Sequence, residues 1–206
     1  MIQFLKPAPG TSLTRRLKAA IDDPEMEQLL DSWLELAGTG DLPEKSEFDP
    51  LNHPTVLPRI WIYELEEDRS DFVCRLCGEE IRYVWGHTTK GLRLSQIASP
   101  ELFRTNMRRW LYCIEAPAVL LGQSTEQSRF IVKRLSLPFR NGLGQRFVLG
   151  ASRYDFRHVD PFDQRHPFRY SQSAVAVRTR DLLLDAARDE PSEPAQQWTA
   201  QASASV

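Results

Sequence analysis

A chain of 206 residues, 41% hydrophobic and 26% charged, is long enough to bury one sizeable core and has the composition of an ordinary globular domain. A net charge of -2 lacks the basic surplus that nucleic-acid binding draws on, and no run approaches the roughly 18 apolar residues of a membrane span. Three cysteines, an odd number, argue against a disulfide framework and fit a reducing compartment; with no signal-peptide pattern in MIQFLKPAPGTS, the expected location is cytoplasmic.

Residues 1–22 read as a peripheral arm, in which Leu13 to Ile21 forms one or two helical turns with Arg15, Arg16 and Lys18 exposed. A firmer helix starts at Asp23-Pro24, an N-cap followed by a proline that the first turn tolerates. Its stripe of Leu29, Leu30, Trp33 and Leu36 must be laid on something, either the core of the same chain or a partner surface such as a second copy. Ile60 to Glu66 and Asp71 to Cys77 are β-branched and aromatic runs separated by a polar turn, so they predict an antiparallel hairpin. Trp61 and Tyr63 alternate with Ile60 and Ile62, which makes that strand apolar on both faces and its outer face a second candidate contact surface. Gly78 ends the hairpin, and Glu79 to Trp85 predicts a short helix stopped by Gly86.

Leu92 to Ala98 reads as an irregular bridge. Ser99-Pro100-Glu101 then opens the longest helix, with Leu102, Phe103, Met107, Trp110, Leu111 and Ile114 at spacings of three and four. After Pro117 come three strands: a short one ending at Gly122, then Arg129 to Phe139 and Gln145 to Phe156 across a glycine- and asparagine-rich turn. Beyond Asp160 periodicity fades. Residues 161–187 read as an extension with a brief helix from Thr179, and 188–206 as a disordered tail.

The stretch FDPLNHPTVLPRIWIYELEEDRSDFVCRLCGEEIRYVWGHTTKG at 48–91, with the LP-containing strand LSLPF at 135–139, resembles a PAS sensory domain and, more narrowly, a bacterial PAS-like family of mostly single-domain proteins. The resemblance covers about residues 25–157 and implies an α+β fold: a PAS-like five-stranded antiparallel sheet with helices on one face, here spanning 23–160 with its flanking helix. It also implies a mostly apolar pocket between sheet and long helix, or a core that fills that space completely. The candidate lining is Phe72, Cys74, Leu76, Ile81, Trp85, Met107, Trp110, Ile114, Phe130, Val132, Phe147 and Leu149.

Other chemistries are poorly served. Cys74-Arg75-Leu76-Cys77 lacks the second ligand pair of a structural zinc site, and residues three apart on a regular strand point to opposite faces, so the thiols are expected to diverge. Haem is not supported, because the long helix has no histidine, only Met107 and Cys113 as soft donors, and His87 reads as an exposed turn residue. Flavin photochemistry is not supported either: VCRLCGEEI lacks the asparagine of the motif it echoes. No nucleophile–base pair, Walker sequence or Rossmann fingerprint is present.

These readings converge on a non-enzymatic sensory or regulatory protein that acts through a protein partner in a signalling pathway, with homodimerisation and a small apolar ligand as options. Two alternatives compete with it. One is a small-molecule enzyme built on loop 157–169, which gathers His158, Asp160 and His166; the other is a ligand-free dimerisation scaffold.

Overall fold

The computed structural model describes residues 2–6, 8, 10–38, 40, 42–86, 89–126, 130–155 and 172–189. The elements in chain order are β1 (Ile2–Phe4), α1 (Leu13–Ile21), α2 (Pro24–Ala37), β2 (Ile60–Leu65), β3 (Phe72–Cys77), α3 (Glu79–Trp85), α4 (Leu94–Ile97), α5 (Pro100–Glu115), β4 (Ala118–Glu126), β5 (Phe130–Arg140), β6 (Arg146–Asp155), β7 (Gln172–Arg178) and α6 (Thr179–Asp189). Short 3-10 turns fill much of the path from α2 to β2.

The helix ends follow their local chemistry. Asp23 accepts from the Met26 amide and Ser99 from the Leu102 amide, each followed by proline at the first helical position. Gly86 closes α3 at φ 73°, a left-handed conformation that costs glycine nothing.

The sheet runs β1-β7-β4-β5-β6-β2-β3. The five expected strands, β2 to β6, are all present and pair antiparallel in one contiguous block. Two strands extend it beyond expectation. Gln172–Arg178, inside the supposed extension, forms β7 against β4, and Ile2–Phe4, inside the supposed arm, pairs parallel to β7. The alternating small residues of SAVAV give a weak apolar period, and a three-residue strand gives none, so neither stood out from turn and propensity patterns.

Helices cover both faces rather than one. On the first face Leu13, Leu17 and Ile21 of α1, Met26, Leu29, Leu30 and Trp33 of α2, and Leu182 of α6 pack with Ile60, Ile62, Leu135, Leu137, Phe139, Phe147 and Leu149. Through Leu13, Leu17 and Ile21, α1 is therefore part of the core rather than a peripheral arm, and the α2 stripe is consumed within the chain. Leu29, Leu30 and Trp33 are fully buried and Leu36 partly so, which removes them as a partner surface. Burial of Trp33 is worth on the order of 4 kcal/mol of transfer energy. Its indole N–H is satisfied by the Pro138 carbonyl at 3.0 Å.

The opposite face carries α3, α4 and α5. There Trp61 and Tyr63 pack with Phe72, Cys74, Ile81, Leu94, Trp110, Cys113 and Ile114. Strand β2 thus has two apolar faces because each faces its own helical layer, and Trp61 and Tyr63 are interior rather than a contact surface. Helix α6 runs to Asp189, so residues 188 and 189 are helical rather than the start of a tail. Among the described residues no helix is long and apolar enough to cross a membrane.

Candidate functional site

A cavity of about 50 Å³ lies between α5 and the sheet. From α5 it takes Leu102, Asn106 and Trp110, at the four-residue spacing that aligns side chains on one helical face. Strand β2 contributes Trp61 and Tyr63, β5 contributes Arg134, and β6 contributes Ser152 and Tyr154. Ile81 and Trp85 of α3, Thr89, Leu94 and Ile97 of α4, and Ala98 complete the wall. At 10–15 Å³ per water-sized probe, the space holds roughly four waters, far less than a flavin or haem needs.

Aromatic stacking fixes the inner wall. The Trp110 ring lies 5.1 Å from Trp61, 4.7 Å from Tyr63 and 5.3 Å edge-on from Phe72. Such pairs add about 0.5–1.5 kcal/mol each beyond burial, so α5 is held to β2 and β3 through one tryptophan. Trp61 is further oriented by its indole N–H, which donates to Ser152 Oγ at 2.9 Å. The indole lies over Gly150, where any side chain would overlap it.

This arrangement of a long helix across five antiparallel strands coincides with a match to a family model described as PAS domain over residues 21–152. The chain belongs to the PAS domain family. No curated protein and no solved structure matches it. A PAS domain points in general terms to a sensory or regulatory role. The matched span takes in β2 to β5 and most of β6, while β1, β7, α6 and nearly all of α1 lie outside it, which accounts for the two strands beyond five.

Of the sequence-predicted lining of this PAS domain, Ile81, Trp85 and Trp110 reach the cavity. Phe72, Cys74 and Ile114 are buried in the apolar cluster behind it, and Met107 packs on that cluster. Val132 is buried opposite Tyr154 on the same sheet face without forming the wall. The side chain of Phe130 lies outside the described residues, as do His87, His158, Asp160, His166 and the tail beyond 189.

Leu76, Phe147 and Leu149 belong to the other face, against α1 and α2. Val148 pairs with Tyr63 and so faces α5, which sends Phe147 and Leu149 the opposite way. The other wall residues went unforeseen as lining, among them the polar Thr89, Asn106, Arg134, Ser152 and Tyr154. On β5 the expected Val132 shares its face with Arg134, while Leu135, Leu137 and Phe139 on the other face serve the α1–α2 layer. The polar alternation Arg134-Ser136 was the available signal.

The cysteine pair also differs from expectation. The register steps from Ile62↔Leu76 to Tyr63↔Cys74, leaving Arg75 as an extra residue in a β-bulge. Cys77 pairs with Trp61 and Cys74 with Tyr63, so the bulge turns both thiols to the α5 face instead of separating them. Among the described residues no group of three or more His, Cys, Asp or Glu converges as a metal site.

Burial pushes the Cys74 thiol up, against hydrogen bonding to Thr89, and burial alone pushes up Cys113. Cys77 is partly exposed. A thiol-exchange reagent at mildly alkaline pH is therefore expected to label Cys77 rapidly and the other two thiols only on unfolding. Loss of the fast phase in Cys77→Ser, read by absorbance, checks the assignment; a second fast thiol in the native protein would contradict it.

Proposed function

We propose that this PAS domain is a non-enzymatic, cytoplasmic regulator that binds a small molecule between α5 and the sheet and passes the change to a protein partner. The observation that carries the reading is the seating of Trp110. Its ring meets Trp61, Tyr63 and Phe72 at the edge of the cavity, so a ligand there competes directly with the contacts that hold α5 in place. A ligand with different affinities for two seatings of α5 shifts the population between them.

The wall chemistry favours binding over catalysis. Among the described lining residues there is no carboxylate, imidazole or thiol to move protons near neutrality. Tyr63, the buried phenol, is pushed well above its usual range, first by desolvation and then by Cys74, so it stays protonated. The cavity also speaks against a ligand-free scaffold, since a core with only a structural duty is close-packed.

Native mass spectrometry of protein purified from its own host is expected to show a small molecule that leaves on denaturation. Ala98→Phe, which places an aromatic ring into the cavity, is expected to fold and to lack that molecule. Equal, bare masses for both proteins would count against ligand binding.

A further inference from the structure

The bulge in β3 gives Cys74-Arg75-Leu76-Cys77 a geometry that a regular strand forbids. Cys74 pairs with Tyr63 and Cys77 with Trp61, which share one face of β2, while Leu76 packs into the α1–α2 layer. Both thiols therefore sit on the α5 side. The Cys74 sulfur also points along the strand toward its neighbour, because it donates to the Leu76 carbonyl oxygen at 3.3 Å. That oxygen and the Cys77 Cα belong to one planar peptide and are about 2.8 Å apart, which puts the Cys74 sulfur within roughly 6 Å of the Cys77 Cα. In a disulfide this separation is about 4 Å, so closure asks for side-chain rotation and at most about 2 Å of displacement. The residue between them that must give way, Arg75, is the one outside the ladder register.

The two thiols are unlike, and the difference sets an order of events. Cys77 is partly exposed, whereas Cys74 is buried and held protonated by that burial. A dissolved reagent therefore meets Cys77 first. Cys113 cannot stand in for Cys74, because its sulfur donates to the Ser136 carbonyl on β5 at 3.8 Å. Strands β6 and β2 lie between β5 and β3, a separation of roughly 14 Å at about 4.8 Å per strand.

We propose that Cys74 and Cys77 form a reversible disulfide site that low-molecular-weight disulfides oxidise. The Cys77 thiol loses its proton, and its sulfur attacks one sulfur of the small disulfide; a mixed disulfide forms and one small thiolate leaves, taking up a proton. Cys74 then loses its proton as its sulfur attacks Cys77 Sγ, which closes the protein disulfide and expels the second small thiol. Two protein thiols give up two electrons and two protons, and one small disulfide is reduced to two thiols. Closure also draws Cys74 away from the Thr89 hydroxyl, which it meets at 3.4 Å in the cavity wall. The oxidation state of the chain itself thus alters that wall. This inference goes beyond the small-molecule reading and stands without it.

The test incubates the reduced protein with oxidised glutathione under native conditions, alkylates the remaining thiols in denaturant, and reads intact and peptide masses. A glutathione adduct on Cys77 is expected first, decaying slowly because Cys74 must lose its proton in a buried site. The end product is expected to carry no glutathione, to keep one alkylatable cysteine of the three, and to yield a peptide bridged between Cys74 and Cys77. Dithiothreitol is expected to restore all three thiols. Cys74→Ser is expected to stop at the glutathione adduct on Cys77, and Cys77→Ser to keep both of its thiols. The bridged peptide of the unaltered protein needs no variant, so it decides the matter even if Cys74→Ser fails to fold. A lasting glutathione adduct with Cys74 still alkylatable would overturn the proposal. So would a bridge that includes Cys113, a bridge that forms only in denaturant, or three thiols left unchanged.

Discussion

Asp23→Ala is expected to destabilise the protein by about 3–5 kcal/mol, because one buried carboxylate does two jobs. Its Oδ1 accepts from the Met26 amide at 3.0 Å and caps α2, while its Oδ2 accepts from Arg59 Nη1 at 2.9 Å. Arg59 is 9% exposed and Asp23 6%, so solvent cannot replace the lost partner cheaply. Glu25 also pairs with Arg59, but at the more exposed edge, and Arg153 approaches Asp23 at 3.8 Å. Asp23→Asn keeps a good cap and removes only the charge, so it is expected to lose about 1 kcal/mol less than alanine. Urea denaturation of the three proteins checks both numbers. A loss below about 1 kcal/mol for alanine would mean that Arg59 finds water where the structure shows packing.

Gly150→Ala carries a comparable penalty from a different cause. A methyl group at position 150 would overlap the Leu135 carbonyl on the adjacent strand and the six-membered ring of Trp61. Side chains rotate away from such a clash, but a backbone carbonyl in a sheet does not, so the strand must shift. Overpacking of this kind costs about 1–3 kcal/mol and sometimes more, and the upper end is expected here because both neighbours are fixed. Displacement of Trp61 breaks its bond to Ser152 and is expected to red-shift tryptophan emission. Gly142→Ala is the control: nothing lies within 4 Å of the added carbon, and its stability should be unchanged within about 0.5 kcal/mol. Indistinguishable melting of the two alanine variants would show that β5 and β6 yield easily at this crossing.

The contrast between these two sites shows what the sequence makes legible. Asp23-Pro24 and Ser99-Pro100 announce helix starts by local chemistry, and both caps stand where the pattern places them. The strand pairs β2–β3 and β5–β6 were equally readable, because each is joined by a short polar turn. Side-chain direction was harder. A single extra residue, Arg75, reverses the alternation of β3, and it carries no signature of its own. The candidate site was misjudged in the same way: apolar Phe147 and Leu149 looked like pocket lining because hydrophobicity marks a buried face without saying which helical layer buries it. Arg134 and Asn106 were passed over because polar residues in a strand and a helix ordinarily face solvent, and only the three-dimensional register puts them at a cavity.

The pairing of Ile2–Phe4 with Ala174–Ala176 bears on the order in which the molecule can be completed. During synthesis β1 emerges some 170 positions before the segment it must sit beside. The hydroxyl of Ser12 and the amide of Thr14 wait equally long for Asp185, to which both donate. The central antiparallel block can assemble from neighbours while translation proceeds, but the last edge of the sheet is a clasp that closes only when β7 has followed β1 out.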